Sequence, residues 1–323
     1  AQNRQRTIFR ILAGLIDHVT SEQPLLLAID DLQWADDTSI QLINYVAHQV
    51  ADRPLLLVLA HRAEDALSPA LDVGEFPHHT DIQLKELSDE ASQHLLDTLL
   101  PTTPQMPHHL KQLILNKARG NPLFIEEVAY SLIENYLTLD EESGTYHART
   151  DLEQIEVPDS VSRVIVSRID RLDESSRNLL RVASVIGQRF QQWLLSEIYP
   201  YRHTEEELHE RLDVLSQREI LEGPHPASLY LFRHILTREV AYESLLYADR
   251  RQLHRRIGES IEVQQGDRLA EYWEVLAYHF GLAEVWDKSL THHLHAAHKA
   301  QSIYANEDAI HHFRQALKAA EKV

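Results

Sequence analysis

Residues 24–39, PLLLAIDDLQWADDTS, drive an aliphatic run straight into two adjacent carboxylates, Asp30 and Asp31. A buried strand ending in acids delivers them to the C-terminal edge of a sheet, the edge where open α/β folds bind ligands. The first carboxylate there suits Mg2+, normally through water, and the second suits orienting or activating an attacking water. Neighbouring strand residues point to opposite faces, so two different roles are expected of Asp30 and Asp31. The same residues also suit a plainer arrangement, in which Asp31 starts a turn and Asp30 is solvated, because short motifs of this kind recur by chance.

Further stretches carry groups of similar use. LVLAHRAED (57–65) ends a second aliphatic run near Arg62, and an arginine at a sheet's ligand edge pairs bidentately with phosphate oxygens. The competing role for Arg62 is a surface ion pair with Glu64 or Asp65. In ARGNPLFIEEV (118–128), Gly120 breaks one helix and Pro122 suits the first turn of the next, whose amides are free. A plain helix–helix turn accounts for the same three residues. His234, in LFRHILTREVAYESLL, has a charge tunable near neutral pH, but it is one of 21 histidines. His292, His295 and His298 share a helical face as metal ligands do, yet no nearby carboxylate pattern completes a site. Neither a nucleophile elbow, G-x-S-x-G, nor a phosphate-gripping GxxxxGK[ST] loop occurs anywhere in the chain.

The elements that must carry these groups alternate in period. PLLLAID (24–30) and PLLLVLA (54–60) read as strands buried on both faces of a parallel sheet, with DIQLKEL (81–87) a weaker third strand. Between the first two, residues 36–50 have helical spacing with Asp36 at the N-cap. Strand–helix–strand of this kind predicts a doubly wound α/β sheet. Residues 88–137 read as helices, and 139–151 as a hairpin or linker. Residues 155–260 combine amphipathic helices, one of them running from 205 to Gly223, with a strand-like SLYLFRH and a long helix from Ile235. That combination is winged-helix-like. VWDKSLTHHLHAA and NEDAIHHFRQALKAA match at a shift of twenty residues, with Leu290 and Ile310 equivalent, which reads as the start of a helical-repeat solenoid.

Composition narrows the classes. The chain of 323 residues is 43% hydrophobic and 25% charged, as soluble globular proteins are, and is long enough for several domains. No apolar run approaches the roughly 18 residues a membrane span needs. The absence of cysteine excludes disulfides and thiolate chemistry and fits a cytoplasmic protein. A net charge of -19 argues against direct DNA binding and against anionic membranes, with RQLHRR (251–256) the best candidate for a local basic patch and more simply an exposed helix face.

LLLAIDDLQWADDTS resembles the Walker B segment of the signal-transduction ATPases with numerous domains, a branch of the AAA+ superfamily, in which an acidic pair precedes a short Trp-Ala-Asp segment, here Trp34-Ala35-Asp36. The likeness is to the subgroup in large bacterial transcriptional regulators and in modules linked to nucleotide cyclases and Ser/Thr kinases. LVLAHRAED is similar to that family's next strand, whose arginine senses the terminal phosphate; Arg62 matches, while Ala60 stands where the family often has threonine. ARGNPLFIEEV resembles the Gly-Asn-Pro lid motif, implying that Pro122 packs near adenine with Asn121 beside it. LFRHILTREV is similar to the winged-helix segment whose histidine touches the β-phosphate at rest; His234 matches, but the family's Met-His-Asp reads Arg233-His234-Ile235 here.

The resemblance implies an α/β parallel-sheet P-loop NTPase remnant followed by mainly α structure. The expected divisions are a nucleotide-binding core at 1–104, a helical lid and linker at 105–150, a winged-helix-like domain at 151–262 and a TPR-like repeat at 263–323. It implies ATP or ADP with Mg2+ in the intact protein, held between sheet, lid and winged helix. Asp30 would hold the metal, Asp31 position the water, Arg62 sense the γ-phosphate, and Asn121, Pro122 and His234 contact the nucleotide. A protein partner or inducer would act through the repeats, and an attached output domain would respond. The missing loop is expected upstream of Ala1, so residues 1–323 alone should bind ATP poorly. The alternative is a non-catalytic scaffold that binds a protein partner through the repeats.

Overall fold

The computed structural model describes residues 2–49, 52–62, 79–100, 107–140, 145–148, 152 and 155–323. It is mostly helical with few strands. The chain forms two compact units, one of Ala1–Leu84, Ala270–Gly281 and Val285–Val323, the other of Lys85–Leu269 and Leu282–Glu284.

In the first unit, helix α1 (Gln2–Glu22) leads into strand β1 (Leu25–Ile29), helix α2 (Asp37–Gln49) and strand β2 (Leu55–Leu59). β1 and β2 pair in parallel from Leu25↔Leu55 to Ile29↔Leu59, as the aliphatic runs predict. Leu55 packs against Ala13 of α1 and Val46 of α2, while Ile29, Leu57 and Leu59 pack against Leu32, Ile40 and Ile43. Burial is one-sided among the described residues: Leu26, Leu56 and Val58 on the opposite face are exposed, so the two-sided burial expected of these strands is not met. The third strand expected at 81–87 is also absent. Ile82 and Leu84 are 76% and 90% exposed. The Leu87 N–H bonds to the carbonyl of Gly120 rather than to a strand, and without a ladder partner a β-prone segment does not become a strand.

Three further helices of this unit, α12 (Trp273–Leu282), α13 (Trp286–Ser302) and α14 (Asn306–Ala320), complete the C-terminal region. The start points of α13 and α14 reproduce the twenty-residue shift read in the sequence. Where the two helices meet, Ala300, Ala305 and Ala309 form a small buried cluster with Phe313 packed against it.

The second unit begins with α3 (Asp89–Leu99), α4 (His108–Ala118) and α5 (Pro122–Tyr136), followed by the antiparallel hairpin β3 (Leu137–Asp140) and β4 (Thr145–Ala148). Leu96, Leu110, Ile114, Phe124, Val128 and Leu132 form one apolar core that continues into Val164 of the next helix. Then come α6 (Val161–Asp170), α7 (Glu174–Ile186), β5 (Arg189–Gln191), α8 (Gln192–Ile198), α9 (Glu205–Gln217), β6 (Leu221–His225), β7 (Leu229–Phe232), α10 (Ile235–Glu243) and α11 (Tyr247–Gln264). β5, β7 and β6 make a three-stranded antiparallel sheet with β7 central, and in its core Phe190 stacks on Tyr230 and meets Phe232 edge-on.

Two helix boundaries differ from expectation. α9 stops at Gln217, and Gly223 lies in β6 at φ +143, where an added Cβ would meet the Tyr230 ring at 2.8 Å. The glycine therefore permits strand–ring contact instead of ending a helix. The long helix from Ile235 breaks between Glu243 and Tyr247, where Leu246 is extended. On α11, the basic run is largely engaged: Arg251 with Glu284, Arg255 with Glu259, and Arg256 with the Glu197 carbonyl.

Candidate nucleotide-binding residues

The end of β1 is tied to the end of β2 by backbone alone. Ala60 donates its N–H to the Ile29 carbonyl and accepts the N–H of Leu32 with its own, at 2.9 Å in each case. The role of Ala60 is thus carried by its main chain. Between these bonds the chain turns through Asp31, whose φ of 55° and ψ of 38° are left-handed, a conformation Asp tolerates better than most residues. The turn swings Asp31 off the strand line and opens a short 3-10 helix, Leu32–Trp34.

Both carboxylates are exposed at this edge, and each also braces the turn. Asp30 Oδ1 accepts the N–H of Asp31 at 2.8 Å, and Asp31 Oδ1 accepts from the Gln33 amide at 2.8 Å. The Gln33 oxygen in turn accepts the Arg62 N–H at 3.3 Å. Gln33 therefore joins Asp31, at the acidic tip of β1, to the main chain of Arg62, three residues beyond β2. Sequence reading missed Gln33; its only signal was its place two residues beyond the acidic pair. Asp36 caps α2 as expected, accepting the Ser39 N–H at 2.7 Å. The competing partners of Arg62, Glu64 and Asp65, lie outside the described residues.

Among the described residues no three His, Cys, Asp or Glu side chains converge to hold a metal by themselves. The Asp30–Asp31 pair offers oxygen donors only, which fits Mg2+, an ion that binds through one or two carboxylates and otherwise through water and phosphate. His292 is buried and stacked on Phe280, His295 lies against Trp273 and His298 against Phe313.

In the second unit the Gly-Asn-Pro stretch is a complete helix punctuation. Arg119 is left-handed at the end of α4, and Gly120 follows at φ +78 with its Cα so close to the 86–87 backbone that a Cβ would sit 2.5 Å from the Leu87 oxygen. Asn121 caps α5 by accepting the Phe124 N–H at 3.1 Å, and Pro122 opens the helix. Both candidate residues thus have structural work at the α5 N-terminus.

α5 presents a polar face to the elements that follow it. Arg168 of α6 is 3% exposed and donates to Glu127, itself 2% exposed, at 2.6 Å, to Glu134 at 2.6 Å, and to the Arg218 carbonyl. Burial by itself would lower the pKa of Arg168, but its bond to Glu134 and the charge of Glu127 raise it overall, so the guanidinium stays charged. Tyr130 lies between Arg168 and Arg233, each over its ring, and Arg233 pairs with Glu219. His234, which precedes α10, has its Nε2 3.5 Å from the Glu126 carboxylate. Glu126 was the second residue that sequence reading missed; its position one turn into α5 was the signal.

Elsewhere, His254 is buried against Tyr242, and burial reinforced by Arg238 and Arg250 pushes its pKa down to about 4. No helix among the described residues is long and apolar enough to cross a membrane.

A family model described as a domain of unknown function (DUF8739) matches residues 88–145, which span α3 to the β3–β4 hairpin. An uncharacterised protein of Rhizobium meliloti (strain 1021) is 26% identical over 270 residues, covering 80% of this chain and 24% of its own length. A hybrid signal transduction histidine kinase of Dictyostelium discoideum is 29% identical over 146 residues, 42% of this chain and 4% of that protein. Among solved structures, a Signal Transduction ATPase with Numerous Domains (STAND) protein with a tetratricopeptide repeat sensor from Pyrococcus horikoshii superposes with a TM-score of 0.52 at 14% identity. That match covers 98% of this chain and 45% of the Pyrococcus chain. The fold is similar to that of part of the Pyrococcus protein. The chain spans about a quarter of the Rhizobium relative's length and under half of the Pyrococcus protein's.

Proposed function

We propose that this chain is the nucleotide-switch region of a multidomain signalling ATPase, in which ATP–Mg2+ binding controls an attached output domain. The observation that carries the reading is the strand edge where Gln33 joins Asp31, beside Asp30, to the main chain of Arg62. A STAND-type fold with helical repeats supports it. Asp30 supplies the metal-binding oxygen, Asp31 holds a water for attack, and Arg62 meets the terminal phosphate. Mg2+ supplies charge neutralisation of the phosphates when bound. The left-handed Asp31 is consistent with a carboxylate held off the strand line for use, since such conformations gather at working sites.

In the second unit, the β5-β7-β6 sheet with its flanking helices is the winged-helix-like part of the switch, with His234 facing a phosphate and Asn121 and Pro122 beside the base. The α12–α14 repeats receive a protein partner or inducer, as the sensor named in the Pyrococcus protein suggests. Asp31→Asn in the full-length polypeptide tests the reading, because asparagine keeps the turn and the Gln33 bond but removes the charge. ATP hydrolysis should fall about 100-fold or more while Mg2+-dependent ATP binding persists. Hydrolysis at the wild-type rate would remove Asp31 from the chemistry. A wild-type polypeptide that binds no ATP would favour the scaffold function of the repeats instead.

A further inference from the structure

The polar face of α5 is graded. At its inner end the Arg168 bonds to Glu127 and Glu134 are 2.6 Å long, and these three side chains are 2–15% exposed. At its outer end His234 and Glu126 are 25% and 28% exposed, and the imidazole Nε2 stands 3.5 Å from the carboxylate Oε2 without forming a hydrogen bond. The Nε2 atom of His234 is nevertheless fully buried and, among the described residues, has no hydrogen-bond partner. A buried ring nitrogen that lacks an acceptor while a carboxylate waits just out of bonding range is poised for an anion. The guanidinium groups of Arg168 and Arg233 both lie over the Tyr130 ring, and the Arg168–Glu127 bond also ties α5 to α6, so the helix that carries Glu126 is anchored beside His234.

We propose that Glu126 is a displaceable internal anion for His234. In the nucleotide-free protein it occupies the side of the imidazole that a phosphate of a bound nucleotide takes. The inference rests on the nucleotide-switch reading and adds a competitor to it. Phosphate binding must push the Glu126 carboxylate aside, and α5, which begins at Gly120-Asn121-Pro122, carries that displacement. Two anions cannot both occupy one imidazole nitrogen, so the lid helix senses whether the phosphate position is filled. Glu126 is a positioning residue in this scheme, acting on the nucleotide only through His234.

The test compares binding of fluorescent ADP and of adenosine to the full-length polypeptide as wild type, E126Q, H234Q and E126Q/H234Q. E126A serves as a second removal of the charge, and melting temperatures check folding. Removing the competing carboxylate should tighten ADP binding about five-fold, the scale of a partly exposed charge pair, and leave adenosine binding unchanged. In the H234Q background the same change should have no effect, a non-additivity that a merely structural role of Glu126 would not produce. Equal ADP affinity in wild type, E126Q and E126A would overturn the inference and leave the nucleotide-switch reading intact. Weaker ADP binding by E126Q with normal folding would overturn it as well, since Glu126 would then assist binding. Failure of all five proteins to bind ADP would overturn both.

Discussion

Replacing Arg168 by methionine removes the centre of the buried network that joins α5 to α6. The substitution keeps most of the side-chain volume but deletes three short bonds, to Glu127, Glu134 and the Arg218 carbonyl. It leaves Glu127, 2% exposed, as an uncompensated buried charge, and Glu134 nearly so. Breaking a buried ion pair in this way costs about 3–5 kcal/mol. For a unit of this size that corresponds to a drop of roughly 10 °C in melting temperature. Trp193 is the tryptophan of this unit, so a W34F/W273F/W286F background lets urea unfolding followed by fluorescence report on it alone. Neutralising the two orphaned acids in R168M/E127Q/E134Q should recover at least half of the loss. A deficit below about 1 kcal/mol in R168M, the range of an exposed pair, would refute the buried-network reasoning, as would a triple variant no more stable than the single.

Further outcomes follow from other parts of the structure. Gly120→Ala should cost about 2 kcal/mol or more, because alanine resists the left-handed backbone and its Cβ would strike the Leu87 carbonyl; a neutral result in urea titration would contradict that geometry. His254 is kept neutral in the folded protein with a pKa of about 4, while the unfolded chain takes up its proton near pH 6.5. The unfolded state therefore binds more protons between these values, so stability from this group is complete above about pH 6.5 and falls as pH drops toward 4, by up to about 3 kcal/mol. H254Q should flatten that part of the stability–pH curve, and an unchanged slope would reassign it to other groups. Gln33→Ala, which cuts the link between Asp31 and Arg62, should lower ATP hydrolysis in the full-length polypeptide with a stability change under about 1 kcal/mol. Wild-type hydrolysis in Q33A would show that the bridge positions nothing.

The strands and most helices were legible because their signals are local. PLLLAID and PLLLVLA are short aliphatic runs bounded by polar residues, and they became β1 and β2 in parallel register. Asp36, Gly120 and Pro122 punctuate helices through their own backbone chemistry, so their effect needed no tertiary partner. DIQLKEL had the same local credentials as a strand and failed, since a strand exists only where another backbone completes its ladder. Gly223 misled for a related reason: glycine can end a helix or let a strand approach a ring, and only the nearby Tyr230 decides which.

By itself the sequence determined which residues could do chemistry, the acidic pair after β1, Arg62 after β2, and His234 ahead of α10, because residue type and spacing along an element are local properties. Tertiary structure alone decided what stands beside them. Gln33 links Asp31 to Arg62 across two strands, and Glu126 faces His234 from a helix more than a hundred residues earlier in the chain. Such pairings arise from the packing of elements distant in sequence, and no periodicity within either element encodes its partner.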